Sequence, residues 1–312
     1  LQSPLSDETI SEVKQFNISS NFHPVDITNE TLVLDEINSL RKIDILINSE
    51  QIAFFSKRQN IGCDQFIIIR SPDLALSKLA INEGALAKNN IIIFMEIYNS
   101  DGSEARACGN ATRAVAGLLF EETKKDAFSI ATIAGIIKCN LRDNKKIAVE
   151  LAIPTFANGD IPLVENFNNQ IIDSQNINLF GHKFFALSVG NPHLVTFIDK
   201  SIEDEEFFRI SPLIENHQYF PQKINVEFAK IIDDCNIDVR VWERGCGETL
   251  ACGSGACAVA ISAIKHNLVS SKKLLLHFKG GDIEVCWHND IKDASVIMIG
   301  DYKKIFYGKM AC

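Results

Sequence analysis

The chain has no long hydrophobic run. Its most apolar stretch, around Ile91–Met95, falls well short of the ~18–20 residues that a membrane-spanning helix needs. Basic residues are scattered rather than clustered and the net charge is −9, so neither nucleic acid nor an anionic membrane is expected as a partner. The N-terminal segment carries Asp7, Glu8 and Glu12 and no basic-then-apolar leader, so no signal peptide is expected and the chain reads as cytoplasmic. Closely spaced cysteine pairs are missing too. The nine cysteines are dispersed, and in the tightest group, Cys246, Cys252 and Cys257, the gaps are six and five. That spacing suits neither a zinc site nor the disulfide framework of a small secreted domain. Reduced thiols are the default, most of them buried as small hydrophobes.

What remains is the composition of a globular protein: 312 residues, 46% hydrophobic and 23% charged, enough for two lobes of ordinary size. Short β-type runs dominate, at 65–70, 91–98, 136–141, 146–152, 225–231, 237–242, 273–277 and 295–299. Asn, Asp, Gly or Pro separate them. Helical patterns are fewer: residues 49–57, and the Ala-rich stretches after Cys108 and Cys252. The expectation is a β-rich α+β architecture with short or central helices.

An internal repeat organises the chain. Residues 107–116 read ACGNATRAVA and residues 251–260 read ACGSGACAVA, with six of ten positions identical. The two cysteines lie 144 residues apart, and Glu104 and Glu248 precede them at the same offset of four. Two similar lobes, each offering a Cys-Gly helix start, explain this most simply. At a helix start, unpaired N–H groups and the positive end of the dipole favour an anion. A thiol there is expected to ionise below the free value of ~8.5, and the same N–H groups can hold a carboxylate. Two thiols facing each other across a cleft suit racemisation at an α-carbon, with a thiolate base on one face and a thiol acid on the other.

The flanking residues carry a family resemblance. Tyr98-Asn99-Ser100-Asp101-Gly102-Ser103-Glu104, leading into Ala107-Cys108-Gly109-Asn110, resembles the first active-site segment of diaminopimelate epimerases. Trp242-Glu243-Arg244-Gly245-Cys246-Gly247-Glu248-Thr249-Leu250-Ala251-Cys252-Gly253-Ser254 resembles the second. Gly190-Asn191-Pro192-His193, Ile224-Asn225-Val226-Glu227-Phe228 and Ile61-Gly62-Cys63-Asp64-Gln65 match further segments, so the likeness runs from about residue 30 to the C-terminus. It implies two pseudo-symmetric lobes, each a β-barrel-like mixed sheet around a central helix. Their expected bounds are 1–152 with 298–312, and 153–297. It also implies interconversion of LL- and meso-2,6-diaminoheptanedioate for lysine and peptidoglycan, without pyridoxal phosphate or metal, by a homodimer.

By position, the resemblance makes Cys108 and Cys252 the acid/base pair and places Gly109, Asn110, Gly253 and Ser254 around the reacting carboxylate. Asn99, Asn191, Asn225 and Arg244, with Gln65, would grip the rest of the substrate; an Arg fork suits a carboxylate. Glu243 would bind beside the thiols and, with His193, set their protonation. Cys63 and Cys246 match non-catalytic positions. One family element is missing: the opening Gly-x-Gly-Asn-Asp-Phe string. Asn29, in Thr28-Asn29-Glu30, is the best replacement for its substrate-binding Asn, ahead of Asn21. Alternative readings are a proline or hydroxyproline racemase of the same fold, and a non-catalytic relative with an altered pocket edge.

Overall fold

The apolar β-branched runs form strands close to their expected bounds, and the Ala-rich stretches form helices. The computed structural model describes residues 31–34, 49–57, 62–63, 65–106, 108–142, 145–164, 166–167 and 170–302. In chain order the first elements are β1 (Thr31–Leu34), α1 (Ser49–Ser56), β2 (Gln65–Arg70), α2 (Leu74–Lys78), α3 (Glu83–Lys88), β3 (Ile91–Asn99) and β4 (Glu104–Ala105). Then come α4 (Gly109–Thr123), β5 (Ala127–Thr132), β6 (Gly135–Leu141) and β7 (Ile147–Glu150). Four short strands or hairpin arms follow: β8 (Asn166–Phe167), β9 (Gln170–Ile171), β10 (Ile177–Leu179) and β11 (His182–Ser188). The remainder is β12 (Pro192–Phe197), α5 (Asp204–Glu215), β13 (Asn225–Ile231), β14 (Asn236–Glu243) and β15 (Gly247–Glu248). It closes with α6 (Gly253–Lys265), β16 (Lys273–Phe278), β17 (Gly281–Cys286) and β18 (Ile297–Gly300).

Strand sense shows the repeat directly. β1 is parallel to β2, β2 antiparallel to β3, β3 parallel to β5, and β5, β6 and β7 follow antiparallel. β12, β13, β14, β16, β17 and β18 repeat the same sequence of senses. In each half a two-residue strand folds back just before the helix. β4 sets Glu104 against Tyr98, and β15 sets Glu248 against Trp242. These are the two glutamates noted from the sequence. β18 pairs antiparallel with β7 as well as with β17, so among the described residues sixteen strands form one sheet. The architecture is α+β: two pseudo-symmetric halves, each a mixed sheet curled around one helix.

Side-chain patterning explains the layers. β14 alternates, with Ile237, Val239 and Val241 buried and the residues between them less so, the signature of a strand with one wet face. β2 is buried at four successive positions, Phe66–Ile69, and reads accordingly as an unbroken apolar run. α6 is buried from Gly253 to Ile264 almost without interruption, as a helix apolar all round must be. It and the inner face of α4 (Val115, Ala116, Leu119, Phe120) belong to one core that spans both halves. A second core lies under α5, where Phe207, Ile210 and Ile214 pack on Phe184 and Phe228. Among the described residues no helix is long and apolar enough to cross a membrane.

Because Ile261 is completely buried in α6, Ile261→Ala is expected to cost about 2–5 kcal/mol by leaving a cavity. Urea unfolding followed by circular dichroism measures it.

Candidate active site

Both repeat cysteines sit at the N-cap in extended backbone, and each sulfur accepts a hydrogen bond from the third helical N–H. Cys108 Sγ takes it from Ala111 N at 3.3 Å, and Cys252 Sγ from Gly255 N at 3.4 Å. The first intrahelical bonds run from Thr112 N to Cys108 O and from Ala256 N to Cys252 O. The N–H groups of Gly109, Gly253 and Ser254 therefore have no acceptor within their own helices, while that of Asn110 also interacts with the Cys108 sulfur.

The two helix starts converge on one side chain. A Cβ on Gly109 would lie 2.8 Å from Met298 Cε, and one on Gly253 would lie 2.8 Å from Met298 Sδ. Met298, on β18 and fully buried, packs against both glycines, where an added Cβ would force its thioether end to shift. Asn110 Oδ1 reaches within 3.4 Å of the same point on Gly253. That oxygen also accepts from Arg113 Nη2 at 3.0 Å. Arg113, from the second turn of α4, extends to Asp301 O (2.8 Å) and Met298 Sδ (3.5 Å).

Glu243, at the end of β14, acts on both sulfurs. It hydrogen bonds to Cys252, its negative charge opposes ionisation of Cys108 as well as Cys252, and Thr249 Oγ1 donates to its Oε1 at 2.5 Å. Burial raises the Glu243 carboxyl above its ordinary range, against those two hydrogen bonds. The thiols themselves depart from the sequence expectation. The helix-start N–H bonds do lower both, but burial outweighs them: Cys108 is pushed up to about 11, and Cys252 rises well above its ordinary value. A helix terminus supplies fixed partial charge, whereas loss of water penalises the whole thiolate.

Around Cys252 the other expected residues assemble. Ser254 Oγ lies 3.5 Å from its sulfur, Asn191 Nδ2 donates to Ser254 Oγ at 3.2 Å, and Asn191 Oδ1 lies 3.1 Å from His193 Nε2. Asn225 is buried with its amide fully engaged: Nδ2 donates to Pro192 O (2.7 Å), and Oδ1 accepts from Arg244 N (2.9 Å). It fastens the loops that carry Asn191 and Arg244 to one another. Arg244 is itself exposed, with one guanidinium N–H on Gln222 O at 3.3 Å. Its turn is clamped from below by Glu215, which accepts from Trp242 Nε1 (2.7 Å) and Gly245 N (2.9 Å).

Gln65 and Asn99 face each other at the ends of β2 and β3, on the ladder that leads through β4 towards Cys108. Asn99 Nδ2 donates to Ser103 Oγ at 3.0 Å. Asn29 lies outside the described residues. Cys63 is buried with its Sγ on Ser56 Oγ, and Cys246 is exposed in the β14–β15 turn. Sequence reading did not single out Arg113, Glu215, Glu227, Thr249 or Met298. Most of their roles come from contacts distant in the chain, although Arg113 also bonds Asn110 three positions away and Glu227 and Thr249 lie inside the quoted motif segments.

The family model for diaminopimelate epimerase matches residues 33–156 and 185–305, one block for each half of the repeat. The chain belongs to the diaminopimelate epimerase family. It is an isomerase of the epimerase class. It is 34% identical to the diaminopimelate epimerase of Methanococcus maripaludis (strain C6), over 90% of this chain and 96% of that one. With the Pelagibacter ubique diaminopimelate epimerase the identity is 38%, over 77% and 81%. Solved structures share the fold at low identity. A phenazine biosynthesis protein of the PhzF family from Bacillus anthracis is 14% identical with a TM-score of 0.55, covering 82% of this chain and 87% of its own. A hydroxyproline epimerase from Agrobacterium vitis is 13% identical with a TM-score of 0.50, covering 80% and 76%.

In this epimerase-family chain, a Cys108 raised to about 11 stays in the rising part of its titration through neutral pH. Its alkylation by iodoacetamide should climb about tenfold per pH unit from pH 7 to 9.5 with no plateau, because only the thiolate reacts. Peptide mass spectrometry measures it; a plateau below pH 8.5 would restore the lowered-thiol expectation.

Proposed function

We propose that the protein interconverts LL- and meso-2,6-diaminoheptanedioate by moving the α-proton between Cys108 and Cys252, without a cofactor. The observation that supports this reading is that two helices, each N-capped by a thiol, start on either side of Met298, with Glu243 acting on both sulfurs.

The substrate α-carboxylate lies against the N–H groups at 109–110 and 253–254, where both dipoles stabilise the charge that builds up as the α-proton leaves. One sulfur, as thiolate, forms an S–H bond while the Cα–H bond breaks and its electrons pass toward the carboxylate. The other sulfur gives its proton to the opposite face of Cα and is left as thiolate. Charge and protons balance, nothing is oxidised, and the reverse reaction exchanges the two roles. Burial makes thiolates scarce in the free enzyme, yet each is a stronger base once formed. The incoming α-ammonium supplies the positive charge that favours it. Arg244 offers its remaining donors to the distal carboxylate, with Asn99, Gln65 and Asn191 along the substrate and Asn225 holding the Arg244 turn. His193 and Glu243 govern the protonation of the thiols. The two lobes, 1–152 with 298–312 and 153–297, would each supply one face of the reaction.

The test is exchange of the α-hydrogen of diaminopimelate with deuterated solvent, followed by NMR on reduced protein with no added cofactor. Wild type is expected to exchange it, with proline inert as the control. Cys108→Ala and Cys252→Ala should each reduce turnover about 10²–10⁴-fold, the usual worth of a positioned acid or base. Near-normal rates in either variant would refute the two-thiol mechanism.

A further inference from the structure

Glu227, on β13, is completely buried. One carboxylate oxygen, Oε1, lies 2.6 Å from Nδ1 of the equally buried His193. The other, Oε2, has no hydrogen-bond partner among the described residues. A carboxylate so placed is costly unless its charge is used or balanced. Its surroundings show where the charge is directed. A Cβ on Gly255 would lie 2.9 Å from Glu227 Oε1, and 3.2 and 3.4 Å from Cβ and Sγ of Cys252. Carboxylate and sulfur thus flank the same small space at the first turn of α6, a space that exists because residue 255 is glycine.

The hydrogen bonds close a ring around that turn. From Glu227 the line runs to His193, from the far ring nitrogen to Asn191 Oδ1, from Asn191 Nδ2 to Ser254 Oγ, and from Ser254 Oγ to Cys252 Sγ. It returns to Glu227 through the Gly255 gap. Among the described residues Cys108 has no such ring. The charged groups acting on Cys252 are Glu243 on β14 and Glu227 on β13, while His193 on β12 acts on Glu243 and bonds Glu227; those acting on Cys108 are Glu243 and the Arg113 guanidinium. One helix start therefore has an additional buried anion, the other a part-buried cation.

We propose that Glu227 is a positioning residue for the reaction, fixing the Cys252 sulfur through His193, Asn191 and Ser254 and keeping the proton on Cys252 in the substrate-free enzyme. Cys108 is then the sulfur that ionises first, and the resting enzyme is set to take the proton from the substrate face turned to Cys108. This rests on the two-thiol reading above. The electrostatic effect of Glu227 on Cys252, which opposes the thiolate, has the required sign.

The experiment is alkylation of the full chain by limiting iodoacetamide between pH 7 and 9, with Cys108 and Cys252 quantified in separate peptides. In wild type, Cys108 is expected to react first. In Glu227→Gln, which keeps the shape but removes the charge, Cys252 should react about tenfold faster at each pH while Cys108 stays within twofold. Glu227→Asp, which keeps the charge, should leave Cys252 slow, a contrast that a merely structural role would not produce. Wild-type Cys252 reacting before Cys108, or an unchanged Cys252 rate in Glu227→Gln, would overturn the proposal. If Glu227→Gln does not fold, the wild-type order and the Asp variant still decide it. The assay uses no substrate, so a failure of α-hydrogen exchange would sink the diaminopimelate reading and leave this result standing by itself.

Discussion

Two helix N-termini pointed at one spot repel each other, since each carries roughly half a positive charge. The structure builds that arrangement and sets Met298 between the two helix starts, with Asn110 Oδ1 beside it. Much of the chemistry nearby answers to it. Sulfur lone pairs accept the third N–H of each helix, the Glu243 carboxylate serves both sides, and the N–H groups that remain are suited to a substrate carboxylate. The thiols pay for their place in this enclosure with lost hydration, which is why a location that favours anions still holds them protonated.

The repeat is what aims the helices. The same six-strand order of parallel and antiparallel pairs surrounds α4 and α6, and the last strands of the two sets, β7 and β18, pair with each other. Met298 is therefore carried by the joint itself. The symmetry is imperfect beside the helix starts: position 113 is arginine where its counterpart, 257, is cysteine.

Much of this was legible in the sequence because it is local. Period-two alternation in β14 and unbroken apolar runs such as β2 were readable as strands, and the Cys-Gly-polar starts of α4 and α6 as helix caps. α5 was not read as a helix. Pro212 lies inside it, and a proline near the end of an otherwise helical pattern signals a break, while the packing of Phe207, Ile210 and Ile214 that overrides the signal is tertiary. The direction of the thiol shifts was misjudged for the same reason: a helix dipole can be read from a few residues, but desolvation depends on what the rest of the chain brings in. The burial of Glu215 and Glu227 likewise depends on elements remote in the chain.

The Arg244 turn has a consequence of a different kind. It hangs between two fasteners, the Glu215 carboxylate and the Asn225 amide, neither of which belongs to a helix start. One of these fasteners, Asn225, also holds Pro192 next to Asn191, and Asn191 bonds Ser254 at the Cys252 helix start. The turn and the helix start are thus joined through a single amide, so the turn is not reshaped independently of the surroundings of the sulfur.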